Sequence, residues 1–137
     1  MATQTTPLDE LYYYTFVSAM EGGVNYWANI KSYKASSFPE TKDQWTKFSA
    51  VLVDAEGGYG DEENNPHFVK SKGGFVVNRA IISSGMRRVA SGKMNVAPSY
   101  AQRFAQVLRE PDLAGELDAS DADIVVQAGL FNEVIYG

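Results

Sequence analysis

The period of the apolar residues changes twice along this chain, and that order bounds the fold. Leu8, Leu11, Tyr12, Thr15, Phe16, Ala19 and Met20 recur at helical spacing. Val24, Tyr26, Ala28 and Ile30 then alternate with Asn25, Trp27, Asn29 and Lys31, and a second β-rich run follows with Trp45, Thr46, Phe48, Val51 and Val53. From Phe75 onward the spacing is helical again. A helix, two extended runs and a closing set of helices predict an α+β fold. Its parts are an N-terminal helix, a small antiparallel β-sheet and a C-terminal three-helix half. With 137 residues, 45% of them apolar, the chain can bury one core without staples, so residues 1–137 read as a single α+β domain.

The boundaries follow from capping and turn chemistry. Thr6 suits the N-cap, Pro7 the first helical position, and Asp9 and Glu10 the positive helix end. Gly22-Gly23 ends that helix. The two strands are expected over Val24–Lys34 and Trp45–Glu56, paired antiparallel. The polar stretch from Glu56 to Pro66 reads as a loop. His67–Lys70 is a candidate third strand. The closing helices are expected over Phe75–Ala90, Pro98–Leu108 and Asp121–Tyr136, the last apolar enough to be packed in the core or against a second subunit.

Cysteine is absent, which removes disulfides, thiolate metal sites and cysteine nucleophiles. The single histidine, His67, excludes a multi-histidine metal site. No apolar run reaches the ~18 residues of a membrane span, and the N-terminus lacks a signal-peptide pattern. A soluble cytoplasmic protein is expected, with no membrane partner. The net charge of -5 is unevenly laid out. From Asn64 to Arg109 there are eight cations and no acid, while the remaining four lysines stand against all 17 acids. The acid-free stretch suits a phosphorylated ligand, because arginine forks match phosphate oxygens. The divided charge also suits a homo-oligomer. Long duplex nucleic acid is disfavoured as a partner by the overall acidity.

The sharpest local feature is Glu21-Gly22-Gly23-Val24-Asn25-Tyr26-Trp27. Here Gly22 and Gly23 allow close backbone approach, and Tyr26 and Trp27 offer stacking faces. Asn25 and Glu21 can read the edge of a base or a ribose. Arg79, Arg87 and Arg88, on one basic helix, would hold phosphates. These nine residues form the predicted ligand site. Catalytic signals are weaker. Asp54 and Glu56, two apart on a strand, could join Glu21 around a divalent cation. Asp61-Glu62-Glu63 lacks a calcium-loop pattern, and Gly57–Gly60 is no phosphate loop, since no Gly-Lys-Ser/Thr follows. No metal, cofactor or catalytic residue is assigned.

Two segments carry a resemblance. Glu21–Trp27 resembles the EGG-x-x-YW element of small, uncharacterised proteins encoded by phages of actinobacteria. Asp121-Ala-Asp-Ile-Val-Val-Gln-Ala-Gly-Leu-Phe-Asn-Glu-Val-Ile-Tyr-Gly137 resembles their typical end. The resemblance implies a phage source and no established activity. Small phage accessory proteins often act by binding. The leading expectation is therefore a non-enzymatic protein that binds a phosphorylated nucleotide-type small molecule, sequestering a host immune signal. One alternative is a protein-interaction inhibitor of a host enzyme, with acidic portions engaging a basic target and Tyr12-Tyr13-Tyr14 as aromatic anchors. The other is a small metal-dependent hydrolase using Glu21, Asp54 and Glu56.

Overall fold

Helix α1 (Pro7–Ser18) starts as its sequence dictates. Thr6 Oγ1 accepts the Asp9 amide at 3.1 Å, and the Asp9 carboxylate accepts the Thr6 amide at 3.2 Å. Two orphan donors are thereby satisfied, and Pro7 sits where no N–H is needed. The helix widens into a π-helical turn, Ala19–Gly23, and stops at the glycines as expected. The computed structural model describes residues 5–55 and 64–136. Most of the expected Glu56–Pro66 loop, including Glu56, Gly57–Gly60 and Asp61-Glu62-Glu63, lies outside the described residues.

The remaining elements are β1 (Ala28–Lys34), α2 (Lys42–Thr46), β2 (Ser49–Asp54), β3 (Phe68–Val69), β4 (Gly74–Asn78), α3 (Arg79–Ala90), α4 (Pro98–Arg109) and α5 (Ala119–Phe131). A 3-10 helix, Pro111–Glu116, precedes α5. The class is α+β: an N-terminal helix, a four-stranded antiparallel sheet in the order β1-β2-β4-β3, and a helical C-terminal half. One sheet face, through Ala28, Ala50, Leu52, Phe75 and Val77, joins Leu11, Phe16, Ile82, Met86, Phe104 and Val125 in a continuous core. Helices α3 and α5 cross with backbones nearly touching. A Cβ on Gly85 would press on the Val125 carbonyl and lie 2.9 Å from the Gly129 amide.

Several boundaries differ from the sequence expectation. Val24–Trp27 is a turn, with the Trp27 and Ala28 amides donating to the Val24 carbonyl at 3.1 and 2.9 Å, so β1 begins later than the alternation suggests. Trp45 lies in α2, which Thr41 and Gln44 nucleate with a capping box, so the second strand starts at Ser49. Phe75 and Val77 belong to β4, and α3 starts only after Asn78, whose Oδ1 caps the Ile81 amide. The last helix ends at Phe131 because Asn132 adopts the left-handed conformation, φ 60°. Among the described residues no helix is long and apolar enough to cross a membrane.

Candidate functional site

The two segments that carry the resemblance meet in space. Asp123, one turn into α5, is buried and accepts from Tyr26 Oη at 2.6 Å and Trp27 Nε1 at 2.8 Å. Gln127, one turn further on and fully buried, donates to both Asp123 oxygens at 3.1 and 3.0 Å. The other end of the same amide holds the chain after α5: Gln127 Oε1 accepts the Ile135 and Tyr136 amides at 2.8 Å each. Asn95 clamps Val134 on both its backbone groups. Tyr136 then lies flat on Trp27, ring centroids 4.5 Å apart at 5°, and its hydroxyl donates to Asp54. Burial pushes the Asp123 carboxyl above the usual carboxylate range, and its donors Tyr26, Trp27 and Gln127 pull it back only in part. Burial, then the Asp123 carboxylate, pushes the Tyr26 hydroxyl well above the usual phenol range.

This network fixes where the predicted ligand residues stand. Trp27 is buried, and Tyr136 covers the ring face expected to stack on a ligand. Gly23 packs on α5, where a Cβ would lie 2.6 Å from the Ala119 carbonyl oxygen; Gly22 stands next to the Ala119 side chain. Glu21 and Asn25 are exposed, and Asn25 donates locally to the Glu21 carbonyl at 3.4 Å. Tyr26 shows its ring to solvent and, with Gly22, Gly23, Asp123, Ile124 and Tyr136, lines a shallow groove of about 720 Å³.

None of the three predicted arginines lines that groove. Arg79, at the start of α3, pairs with buried Asp9 at 2.8 Å and lies over the Tyr12 ring at 4.9 Å. Lys42 approaches the other Asp9 oxygen at 3.5 Å. Arg87 is exposed at the far end of α3. Arg88 turns toward the end of α5, donating from Nη1 to the Ala128 and Gly129 carbonyls at 2.7 and 3.2 Å. Arg87 and Arg88 thus stand eight and nine residues beyond Arg79 on one helix, about 12–14 Å of rise, and each end meets a different neighbour.

Arg88 lines a second cavity, of about 390 Å³, with Asn64, Asn65, Pro66, His67 and the α5 end from Leu130 to Glu133. Asn65 shapes its wall: its amide donates to the Leu130 carbonyl at 2.9 Å and accepts the His67 amide at 2.8 Å. Burial, and secondarily the Arg88 charge, lowers the His67 pKa, so the imidazole is neutral at pH 7. His67 and the asparagines beside it carry no sequence motif. Asn-Asn-Pro-His reads only as a turn, and the partners that complete the cavity come from α3 and α5. Of the hydrolase residues, Asp54 is buried and engaged by Tyr136, and Glu56 is outside the described residues. Among the described residues no group of three or more histidines and carboxylates is placed to hold a metal ion. No family model, curated protein or solved structure matches the chain.

Proposed function

We propose that this chain is a non-catalytic binding protein for a phosphorylated nucleotide-type small molecule, seated between His67 and Arg88. The observation that carries the reading is the way Arg88 is held. Its Nη1 is spent on two carbonyls in the last turn of α5, which orients the guanidinium plane beside the cavity. Its Nε and Nη2 edge has no acceptor among the described residues, and such an edge suits two phosphate oxygens. His67 supplies a second donor. Asn132, exposed and left-handed at the rim, offers an amide to a base edge, and Glu133 offers an acceptor for an amino or ribose hydroxyl group. The resemblance to phage proteins supplies the biological frame: sequestration of a signal nucleotide of the host's defence.

Calorimetry against cyclic dinucleotides and ADP-ribose derivatives tests this reading. Binding of at least one ligand is expected, weakened by Arg88→Gln and by His67→Gln while circular dichroism stays unchanged. Absence of heat across the panel, or affinity unaltered in both variants, refutes it.

A second reading, docking on a basic protein partner, is favoured by a groove of about 440 Å³ between α1 and the 3-10 helix. Its charged lining residues, Glu10 and Asp112, are both acids, and Tyr14 stands on it half exposed, whereas Tyr12 and Tyr13 are buried. Loss of a captured host protein on Tyr14→Ala would support it.

A further inference from the structure

The open face of the sheet carries a second feature, independent of Arg88. Strand β1 has one residue too many. Ile30 pairs with Leu52 and Ser32 with Val51, so Lys31 has no partner on β2 and the strand bulges there. Strict alternation would put Lys31 and Tyr33 on one face and Ile30, Ser32 and Lys34 on the other. The bulge resets the phase. Tyr33 turns inward and stacks on core Phe16, centroids 5.7 Å apart at 10°. Lys31, Ser32 and Lys34 all line one cavity on the opposite face, of about 290 Å³. Lys72, from the turn between β3 and β4, completes the set with Ser49 over a floor of Val51 and Val76.

The Lys31 side chain ends beside this turn. Gly73 has φ +69°, and a Cβ there would lie 2.5 Å from Lys31 Nζ. The left-handed φ is what calls for glycine at this position, and the Lys31 ammonium reaches from β1, across β2, to this turn. Lys31, Lys34 and Lys72 are exposed; among the described residues no carboxylate lines the cavity and none of the three has an ion pair. Acids are not in short supply, at 17 against 12 bases. Elsewhere they are used: Lys42, Lys47, Arg79 and Arg103 each have a carboxylate within 4 Å. Three ammonium groups together, with no counter-charge among the described residues, repel one another, and a multiply charged anion relieves that repulsion.

We propose that Lys31, Lys34 and Lys72, with Ser32 and Ser49, form a binding site for a clustered phosphate group such as a di- or triphosphate. The chemistry selects this class. Ammonium groups and hydroxyls recognise charge density and oxygen. The lining holds no aromatic ring to stack a base, which sets it apart from a single-strand nucleic-acid platform.

The test uses sodium tripolyphosphate as probe, with calorimetry and amide chemical shifts at low salt. One equivalent binds, orthophosphate binds at least tenfold more weakly, and shifts concentrate at residues 31–34, 49–51 and 72–76. Each of Lys31→Gln, Lys34→Gln and Lys72→Gln weakens binding about fivefold, the factor for one ion pair near 4 Å in water. Lys93→Gln, at an exposed lysine outside this cavity, leaves binding unchanged. Absence of binding, or affinity retained in the triple glutamine variant, overturns the proposal. So does a single-stranded oligonucleotide that binds more tightly than tripolyphosphate and is lost in the same variants, since the site would then follow a nucleic-acid backbone. All three lysines are exposed, so the variants are expected to fold, and circular dichroism checks this.

Discussion

Gln127 is the best place to test whether the segment after α5 is latched by one amide. Its carboxamide is fully buried and works at both ends: Oε1 holds the Ile135 and Tyr136 amides, and Nε2 holds the Tyr136 carbonyl at 3.2 Å and the Asp123 carboxylate. A carboxamide donates from its nitrogen and accepts at its oxygen, and here both ends are used. Gln127→Leu keeps most of the volume and removes all of these bonds. Neutral hydrogen bonds contribute about 1 kcal/mol each and a bond to a charged partner about 1.5–3 kcal/mol. A buried leucine returns about 2 kcal/mol of apolar transfer. The net expected loss is about 3 kcal/mol, with the last residues released and Tyr136 lifted from Trp27. Gln127→Glu is instructive beside it. It keeps the acceptors but sets a second carboxylate against Asp123, so its defect at pH 7 should shrink as the pH falls and one proton is shared. Urea unfolding followed by tryptophan fluorescence gives the free energies, and hydrogen exchange at residues 133–136 reports the release. A Gln127→Leu protein within about 0.5 kcal/mol of the parent, with these amides still protected, would refute the latch; surface changes outside such features fall in that range.

Gly85→Ala should destabilise by about 1–3 kcal/mol or more, because the new methyl has only the Val125 and Gly129 backbones to push against; thermal melting reads it. Asp9 is raised by burial, but the Thr6 amide and Arg79 outweigh that and hold it below its ordinary value, so its contribution is present above about pH 3.8 and lost as pH falls through the lower folded value. Arg79→Gln should move the Asp9 titration up and bring the acid limb of unfolding to higher pH, as NMR titration and urea midpoints would show. His67 depends on the proton with the same sign but at higher pH: its folded value lies below the unfolded 6.5, so stability declines as pH drops below about 6.5, and His67→Gln should remove this limb from the urea midpoints.

What was legible in the sequence is what local chemistry decides. Thr6-Pro7 with Asp9 starts the first helix by a reciprocal cap and the glycine pair ends it, whereas the Asp118–Asp121 cap starts α5 at Ala119, before the expected Asp121. Strand β4 was hidden because Phe75 and Val77 can extend a helical stripe toward Ile81 and Ile82 as readily as they alternate. The deciding signal was Asn78, a strong N-cap inside the supposed helix. Thr41-x-x-Gln44 is likewise a capping box that the β-rich content of Trp45 and Thr46 outweighed. The Tyr26-Trp27 pair stood out because large aromatics beside amides and carboxylates suit a ligand. The same side chains serve a buried network equally well, and only the position of Asp123, nearly a hundred residues away, decides between the two.

The bulge in β1 is where sequence logic has least purchase, and it makes a prediction of its own. Ile30, Lys31, Ser32, Tyr33 and Lys34 fit no single alternation, because the period of two is interrupted by one residue whose only role in the ladder is to be extra. Removing Lys31 altogether restores the alternation: Ile30 and Tyr33 remain inward, while Ser32 and Lys34 remain outward. Deletion inside a strand ordinarily flips every side chain beyond it and should unfold a small sheet. Here it should leave stability within about 1 kcal/mol, comparable to a modest point substitution. The stack of Tyr33 on Phe16 should persist, visible as unchanged near-ultraviolet dichroism, while tripolyphosphate affinity falls by the same factor as in Lys31→Gln. Deletion of Val51, in regular β2, supplies the contrast and should abolish folding. If the Lys31 deletion unfolds the protein as the Val51 deletion does, Lys31 is an ordinary member of the ladder and no bulge gathers the lysines.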